Sequence, residues 1–247
     1  LAALSAGALA LTRSTWVHHV VAEVYSMSLA IAMLLLAIAL WPGPWRGAWG
    51  VRRRILAMAL LGGIGVAHHR ALAFIAPGLL AAVWLHRDDE PVRWPRTLLA
   101  AGGLFLLGFI PYIYMPLRAW QGGEWIYGEP GTLRGLWIEF SGREASRLIA
   151  LPLDAAGWLD NVRRVAVISA RELTPPGLIA ALGGAAVALA RGPHRIAARL
   201  MALAALGPLL FAVAFHTAVL PEAILMPVVA ALVFETALAL DGVIARH

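Results

Sequence analysis

Three polar stretches of a largely apolar chain hold side chains able to do chemistry. The first centres on Glu23, in Trp16-Val17-His18-His19-Val20-Val21-Ala22-Glu23-Val24-Tyr25. A carboxylate at the start of an apolar run is favoured by the helix dipole alone; it also serves as a metal ligand or as an acid that orients a site. His18 and His19 are adjacent and point in different directions on a helix, which suits interfacial histidines better than a shared metal site. The second stretch is His68-His69-Arg70, beside the small residues Gly62-Gly63-Ile64-Gly65 that let helix backbones approach closely. A polar turn at headgroup level accounts for it, and so does a cradle for a lipid-linked phosphate: guanidinium matches phosphate oxygens in a fork, and imidazole donates or shuttles a proton. Arg118 ends the run Pro111-Tyr112-Ile113-Tyr114-Met115-Pro116-Leu117-Arg118. Alone it is a snorkelling arginine; beside His68–Arg70 it is a second phosphate clamp. The third stretch, Trp125-Ile126-Tyr127-Gly128-Glu129-Pro130, joins flat aromatics, a turn and an acid, and Arg143 follows in Ser141-Gly142-Arg143-Glu144. Such residues build sugar or peptide sites and also ordinary membrane-surface loops.

These residues need elements to hold them, and composition says which kind. Of 247 residues, 61% are hydrophobic and 14% charged, whereas a soluble domain carries about a quarter of its residues as charges. An ordinary soluble globule, a disordered tail and a nucleic-acid binder are excluded. The net charge of +6 arises from 20 basic residues, all arginine, set between apolar runs rather than in a stripe. There is no cysteine, so neither a disulfide nor a thiolate metal site is available. Apolar runs occupy 1–11, 23–41, 55–67, 71–85, 97–117, 177–190, 200–220 and 222–240. We expect about eight transmembrane helices, the first truncated, because the chain opens at Leu1 inside an apolar run. A span needs roughly 20 residues, so 55–67 and 71–85 are expected as a helical hairpin bending at His68-His69-Arg70.

Arginine sets the orientation. Loops 42–54, 86–96 and 191–199, with Arg246, hold eleven arginines, while the short loops of the other side hold only Arg13 and Arg70. The positive-inside rule makes the first set cytoplasmic. Residues 118–176 then face outward, with seven arginines balanced by seven acids. Leu133, Leu136, Trp137 and Phe140 form one apolar stripe, with Thr132 as cap and Gly142 as stop; a second surface helix is expected over 158–173. His216, Glu222 and Glu235 lie near the ends of the last spans. No nucleotide-binding glycine loop, zinc-protease helix or serine-hydrolase elbow is present, and no chain of acids crosses the bilayer, which counts against an ion-coupled transporter.

Four stretches in order resemble the bacterial members of the protein O-mannosyltransferase-like membrane family: Ser14-Thr15-Trp16 with Ala22-Glu23-Val24-Tyr25; Gly62-Gly63 with Ala67-His68-His69 and Pro77; Tyr112–Arg118; and Trp125–Gly135 with Ser141-Gly142-Arg143. The resemblance covers roughly 1–147 and implies a GT-C fold: a partial core over 1–117, an extracytoplasmic loop over 118–176 and C-terminal transmembrane helices over 177–247. It implies transfer of a sugar from a polyprenyl-phosphate carrier to an extracytoplasmic protein or glycan acceptor, at the periplasmic face of a bacterial inner membrane. Residue by residue, it implies Glu23 and His69 as catalytic groups, Glu23 also as ligand of a divalent metal (Mg or Mn), Arg70, Arg118 and His68 on the donor phosphate, and Tyr25, Trp125, Glu129 and Arg143 toward acceptor or sugar. His68 stands where the family has Asn, and Glu129 where it has Asp. The family's first outward loop, with its principal catalytic carboxylate, is not among these residues, so the chain alone is expected to be inactive. Two other readings share the membrane setting: a polymerase or ligase of lipid-linked glycans, and a transporter or flippase for them.

Overall fold

The computed structural model describes residues 1–20, 24–40, 49–123, 128–141, 149–191, 194–217 and 221–244. It is all-helical apart from a two-residue antiparallel pair, in which Ile149 faces Thr217 and Ala150 faces His216. The first half holds α1 (Ala2–Ala10), α2 (Arg13–Val20), α3 (Tyr25–Ala39), α4 (Val51–His68), α5 (Ala76–Leu85), α6 (Trp94–Leu107) and α7 (Tyr114–Trp120). The second holds α8 (Leu133–Ser141), α9 (Ala155–Leu173), α10 (Pro175–Arg191), α11 (Arg195–Ala214) and α12 (Pro221–Ile244).

Three helical stretches are long and apolar enough to cross a bilayer: Trp94–Trp120, Arg195–Ala214 and Glu222–Ile244. The pair Ala155–Leu173 and Pro175–Arg191 meets the same test together but bends by 100° at the break. Tyr25–Ala39 and Arg70–Leu85 are apolar but shorter. The described residues thus hold three or four candidate spans, fewer than the eight apolar runs of the sequence. The difference lies in length: α1 has 9 residues and α3 has 15, against about 20 for a straight crossing. These helices are compatible with an integral membrane protein. Large apolar side chains such as Leu80, Trp84, Leu99 and Leu106 are exposed in it, as a lipid-facing surface requires.

α12 is the central post, packed against α10 and α11 and touched by α1, α2, α3 and α9. Leu225, Val228 and Ala231 of α12 join Met201 and Ala205 of α11 in one buried cluster. Ile31, Leu35, Leu72, Ile75 and Ala204 form another, where α3 and α11 enclose the turn after α4. Small residues set the closest approaches. Gly63 of α4 lies against the Phe105 carbonyl of α6, and Gly108 lies against Gly63 and Ile64; a side chain at either would collide with backbone.

The expected hairpin is present. α4 ends at His68, His69 takes an extended backbone (φ −150°, ψ 115°), and a 3-10 turn over Arg70–Ile75 leads into α5. The run 97–117 is broken too: α6 stops at Leu107 and a 3-10 turn over Ile110–Ile113, with Pro111 at its start, leads into α7. α8 begins where its cap predicts, with the Gly135 N–H donating to Thr132 Oγ1 at 3.0 Å. α9 starts three residues earlier than expected, because Asp154 caps it by accepting from the Gly157 N–H at 2.8 Å.

Candidate functional site

The break after α4 gathers the polar residues of the first half. His68 Nε2 donates to the Val24 carbonyl at 3.0 Å, and the His69 ring meets the Tyr25 ring edge-on, with centroids 5.2 Å apart. Both histidines therefore fasten the end of α4 to the start of α3. Glu23, the expected catalytic acid and metal ligand, lies outside the described residues, as do Trp125 and Arg143. Burial lowers the His69 pKa below its ordinary value, and neighbouring His68 and Arg70 push it the same way. His69 is then a neutral imidazole near pH 7, able to accept a proton rather than to act as a cation.

Arg70 points away from the histidines. Its guanidinium donates to the Glu139 carbonyl near the end of α8 and to the Tyr112 hydroxyl at 3.4 Å. An aromatic group surrounds that contact: Phe109 and Phe140 at 5.4 Å, Tyr112 and Phe140 at 5.6 Å, and Trp137 stacked on Phe140 at 5.7 Å. Segment 128–141 is held at its other end by Trp120, whose indole N–H donates to the Gly131 carbonyl at 3.0 Å. Gly128 has φ +66° and carries the Glu139 carboxylate against it. The Glu129 side chain is exposed, while its carbonyl accepts the Thr132 N–H and hydroxyl, each at 3.0 Å. Arg118 is exposed, lies over Gly123, and makes no ion pair among the described residues.

Tyr25, His68, His69 and Arg70 therefore sit together, and Arg70 links them to Tyr112 and α8. Arg118 and Glu129 belong to the neighbouring α7–α8 corner. A crevice beside His69 and Tyr25, walled by Ser28, Leu72, Phe74 and Pro227, has a volume of about 30 Å³, room for one or two waters. A sugar ring must bind outside it. Among the described residues no three His, Asp or Glu side chains converge as a metal site; Glu23, the expected metal ligand, lies outside them.

Two arrangements escaped the sequence reading. The buried Glu172 of α9 accepts the Ser14 N–H at 2.8 Å and the Ser14 hydroxyl at 2.6 Å, fixing the start of α2, the helix leading toward Glu23. Buried Asn161 and its neighbour Arg164 donate to the Val213 and Phe215 carbonyls at 3.0 and 3.2 Å, closing the end of α11. Ser14 lies in a motif that the resemblance picked out; nothing in the sequence pairs it with Glu172.

Comparison with known proteins bears on the first of these two halves. Residues 1–92 match the family model described as the Protein O-mannosyl-transferase TMEM260 N-terminal domain. Comparisons with curated proteins and with solved structures each found no match. The matched stretch includes Glu23, Tyr25, His68, His69 and Arg70, and ends before Arg118, Trp125, Glu129 and Arg143. Over its first 92 residues, the chain is similar to the N-terminal domain of a protein O-mannosyl-transferase.

Proposed function

We propose that the chain is part of an integral-membrane glycosyltransferase of the O-mannosyltransferase type, GT-C in fold with eight spans. It moves a sugar from a polyprenyl-phosphate carrier to an extracytoplasmic protein or glycan acceptor, at the periplasmic face of an inner membrane. The observation that carries this reading is the packing of His69 on Tyr25, with Arg70 the next residue in the chain, within the stretch similar to an O-mannosyl-transferase domain. A neutral base and a permanent cation on consecutive residues suit the two halves of such a transfer.

In that transfer the acceptor oxygen forms a bond to the anomeric carbon, and the bond from that carbon to the phosphate oxygen breaks. The electron pair leaves with the phosphate, and the acceptor proton goes to a base. Neutral His69 takes that proton directly or through the water-sized crevice, with Glu23 as the second acid. Arg70 and Arg118 hold the departing phosphate, where charge grows. His68 fixes the backbone of Val24, and Tyr25, Trp125, Glu129 and Arg143 line the sugar and acceptor side. Arg70 uses Nη2 for the Tyr112 hydroxyl and the Glu139 carbonyl, so its other N–H groups can face the phosphate while α8 stays tethered.

The test compares binding of a polyprenyl-phosphate sugar with that of the uncharged polyprenol, using the purified chain in nanodiscs. The phosphate form should bind more tightly, and Arg70→Ala or Arg118→Ala should each weaken it about tenfold, for a charged hydrogen bond worth about 1.5–3 kcal/mol. Equal binding of both lipids, or wild-type binding by both variants, overturns the proposal.

A further inference from the structure

The opposite end of the molecule carries a charge pattern that the transfer reaction does not use. α4 and α6 run side by side, with Gly63 set against Phe105. Nine residues back along each helix lie Arg54 and Arg96, so equal rise brings the two first turns level. Arg52 stands eleven residues, about three turns, before Gly63 and shares its α6-facing side. Arg93 immediately precedes α6 as its N-cap residue. Arg52, Arg53, Arg93 and Arg96 are all exposed, and none makes an ion pair among the described residues. The nearby Glu90 carboxylate is engaged by the Val51 N–H at 3.0 Å.

Just beyond this patch α6 turns apolar and stays uncovered. Leu98 is 58% exposed and Leu99 is 80% exposed, and few residues of the candidate span Trp94–Trp120 are buried. Exposed Trp49 and half-buried Trp94 stand at the level of the arginines, the depth at which indole rings favour a membrane interface. Unpaired guanidiniums directly above a bare leucine face match one chemistry: phosphate above hydrocarbon. An acidic protein or nucleic acid would meet the arginines but leave the leucines in contact with it unexplained.

We propose that the inner corner formed by the first turns of α4 and α6 binds an anionic phospholipid. Arg52, Arg53, Arg93 and Arg96 hold its headgroup phosphate, and its acyl chains lie along Leu98, Leu99 and Leu106. The partner is the anionic leaflet of the membrane itself, and the site stands apart from the donor site at the other ends of these helices.

The experiment titrates detergent-purified protein with phosphatidylglycerol or phosphatidylcholine and counts retained lipids by native mass spectrometry. Wild type should prefer phosphatidylglycerol, and added salt should weaken that lipid alone. Each lost guanidinium near a membrane surface should cost about fivefold in affinity, so Arg93→Gln with Arg96→Gln should lower it about 25-fold. Arg93→Lys with Arg96→Lys should keep most of it, and Arg163→Gln, on α9 at the far end, should change nothing. Equal retention of the two lipids by wild type overturns the proposal without any variant. So does wild-type affinity in the folded Gln variant, or displacement of phosphatidylglycerol from the wild type by an acidic polyglutamate peptide.

Discussion

Glu172 sits 158 residues from Ser14, yet both its carboxylate oxygens are spent there. α2 has no acid in its own first turn, so the negative charge favoured at a helix start comes from α9. Replacing Glu172 by Ala strands the Ser14 N–H and hydroxyl in a buried place. Hydrogen bonds to a carboxylate contribute about 1.5–3 kcal/mol each; two of them, eased by water entering the vacated space, make a loss of about 3–5 kcal/mol. Glu172→Gln keeps one accepting oxygen and lets the Ser14 hydroxyl turn to accept from the amide, so about half of that loss should remain. Because the partners touch, Ser14→Ala and Glu172→Ala should couple by up to about 3 kcal/mol in a double-mutant cycle. The assay is denaturant unfolding in detergent, with hydrogen exchange following the amides of α2. Accelerated exchange should be concentrated in α2 and the adjoining turn of α9. If Glu172→Ala unfolds within about 0.5 kcal/mol of wild type, as an ordinary surface substitution does, the pair does not fix α2 and the reasoning fails.

Protonation of His69 offers a second check. Its folded pKa is lowered from the ordinary imidazole value by burial, then by His68 and Arg70. Well above pH 6.5 both states are neutral; as pH falls through about 6.5 the unfolded chain takes up the proton first, so stability should fall as pH drops toward the folded value. Unfolding midpoints measured from pH 7.5 to 5 should show that fall in wild type and a smaller one in His69→Phe. Packing gives a matched pair: Gly63→Val drives a side chain into the Phe105 carbonyl and should destabilise by about 1–3 kcal/mol, whereas Gly102→Ala enters open space and should gain up to about 1 kcal/mol from helix propensity; unfolding of both in one detergent decides. Finally, Arg70→Ala removes the tether to the Glu139 carbonyl, so amides of 133–141 should exchange faster while those of α4 stay protected. Unchanged exchange in α8 would show that the aromatic group alone holds it.

How far the sequence foretold this arrangement depends on the range of each interaction. The break at His69 was legible because three polar residues in a row cannot cheaply stay inside a hydrocarbon layer, and the start of α8 because Thr132 caps a helix from three residues away. Eight runs did not become eight long helices, because hydropathy marks apolar composition and not helix length: α1 has 9 residues and α3 has 15. Arg70 was legible as a cation but not as a tether, since its acceptor is a backbone carbonyl and every residue has one.

α9 shows the same limit most sharply, and shows why it matters for the site. Amphipathic reasoning places the polar side of a surface helix in water. Here Asn161, Ser169 and Glu172 are buried, while Leu159, Val162 and Val167 are exposed. Beside the core residue Ile168, the inward side carries polar groups that serve backbone groups other helices leave open: the carbonyls of Val213 and Phe215 at the end of α11 and the Ser14 N–H at the start of α2. Helix ends have unsatisfied groups by construction, and away from water each must find a partner. The bend of 100° between α9 and α10 lays α9 across those ends, so one helix closes α11 and anchors α2 together. The position of the segment that leads to Glu23 therefore depends on a helix more than 130 residues later in the chain. A change on the inward face of α9 should disturb α2 before it disturbs α9 itself.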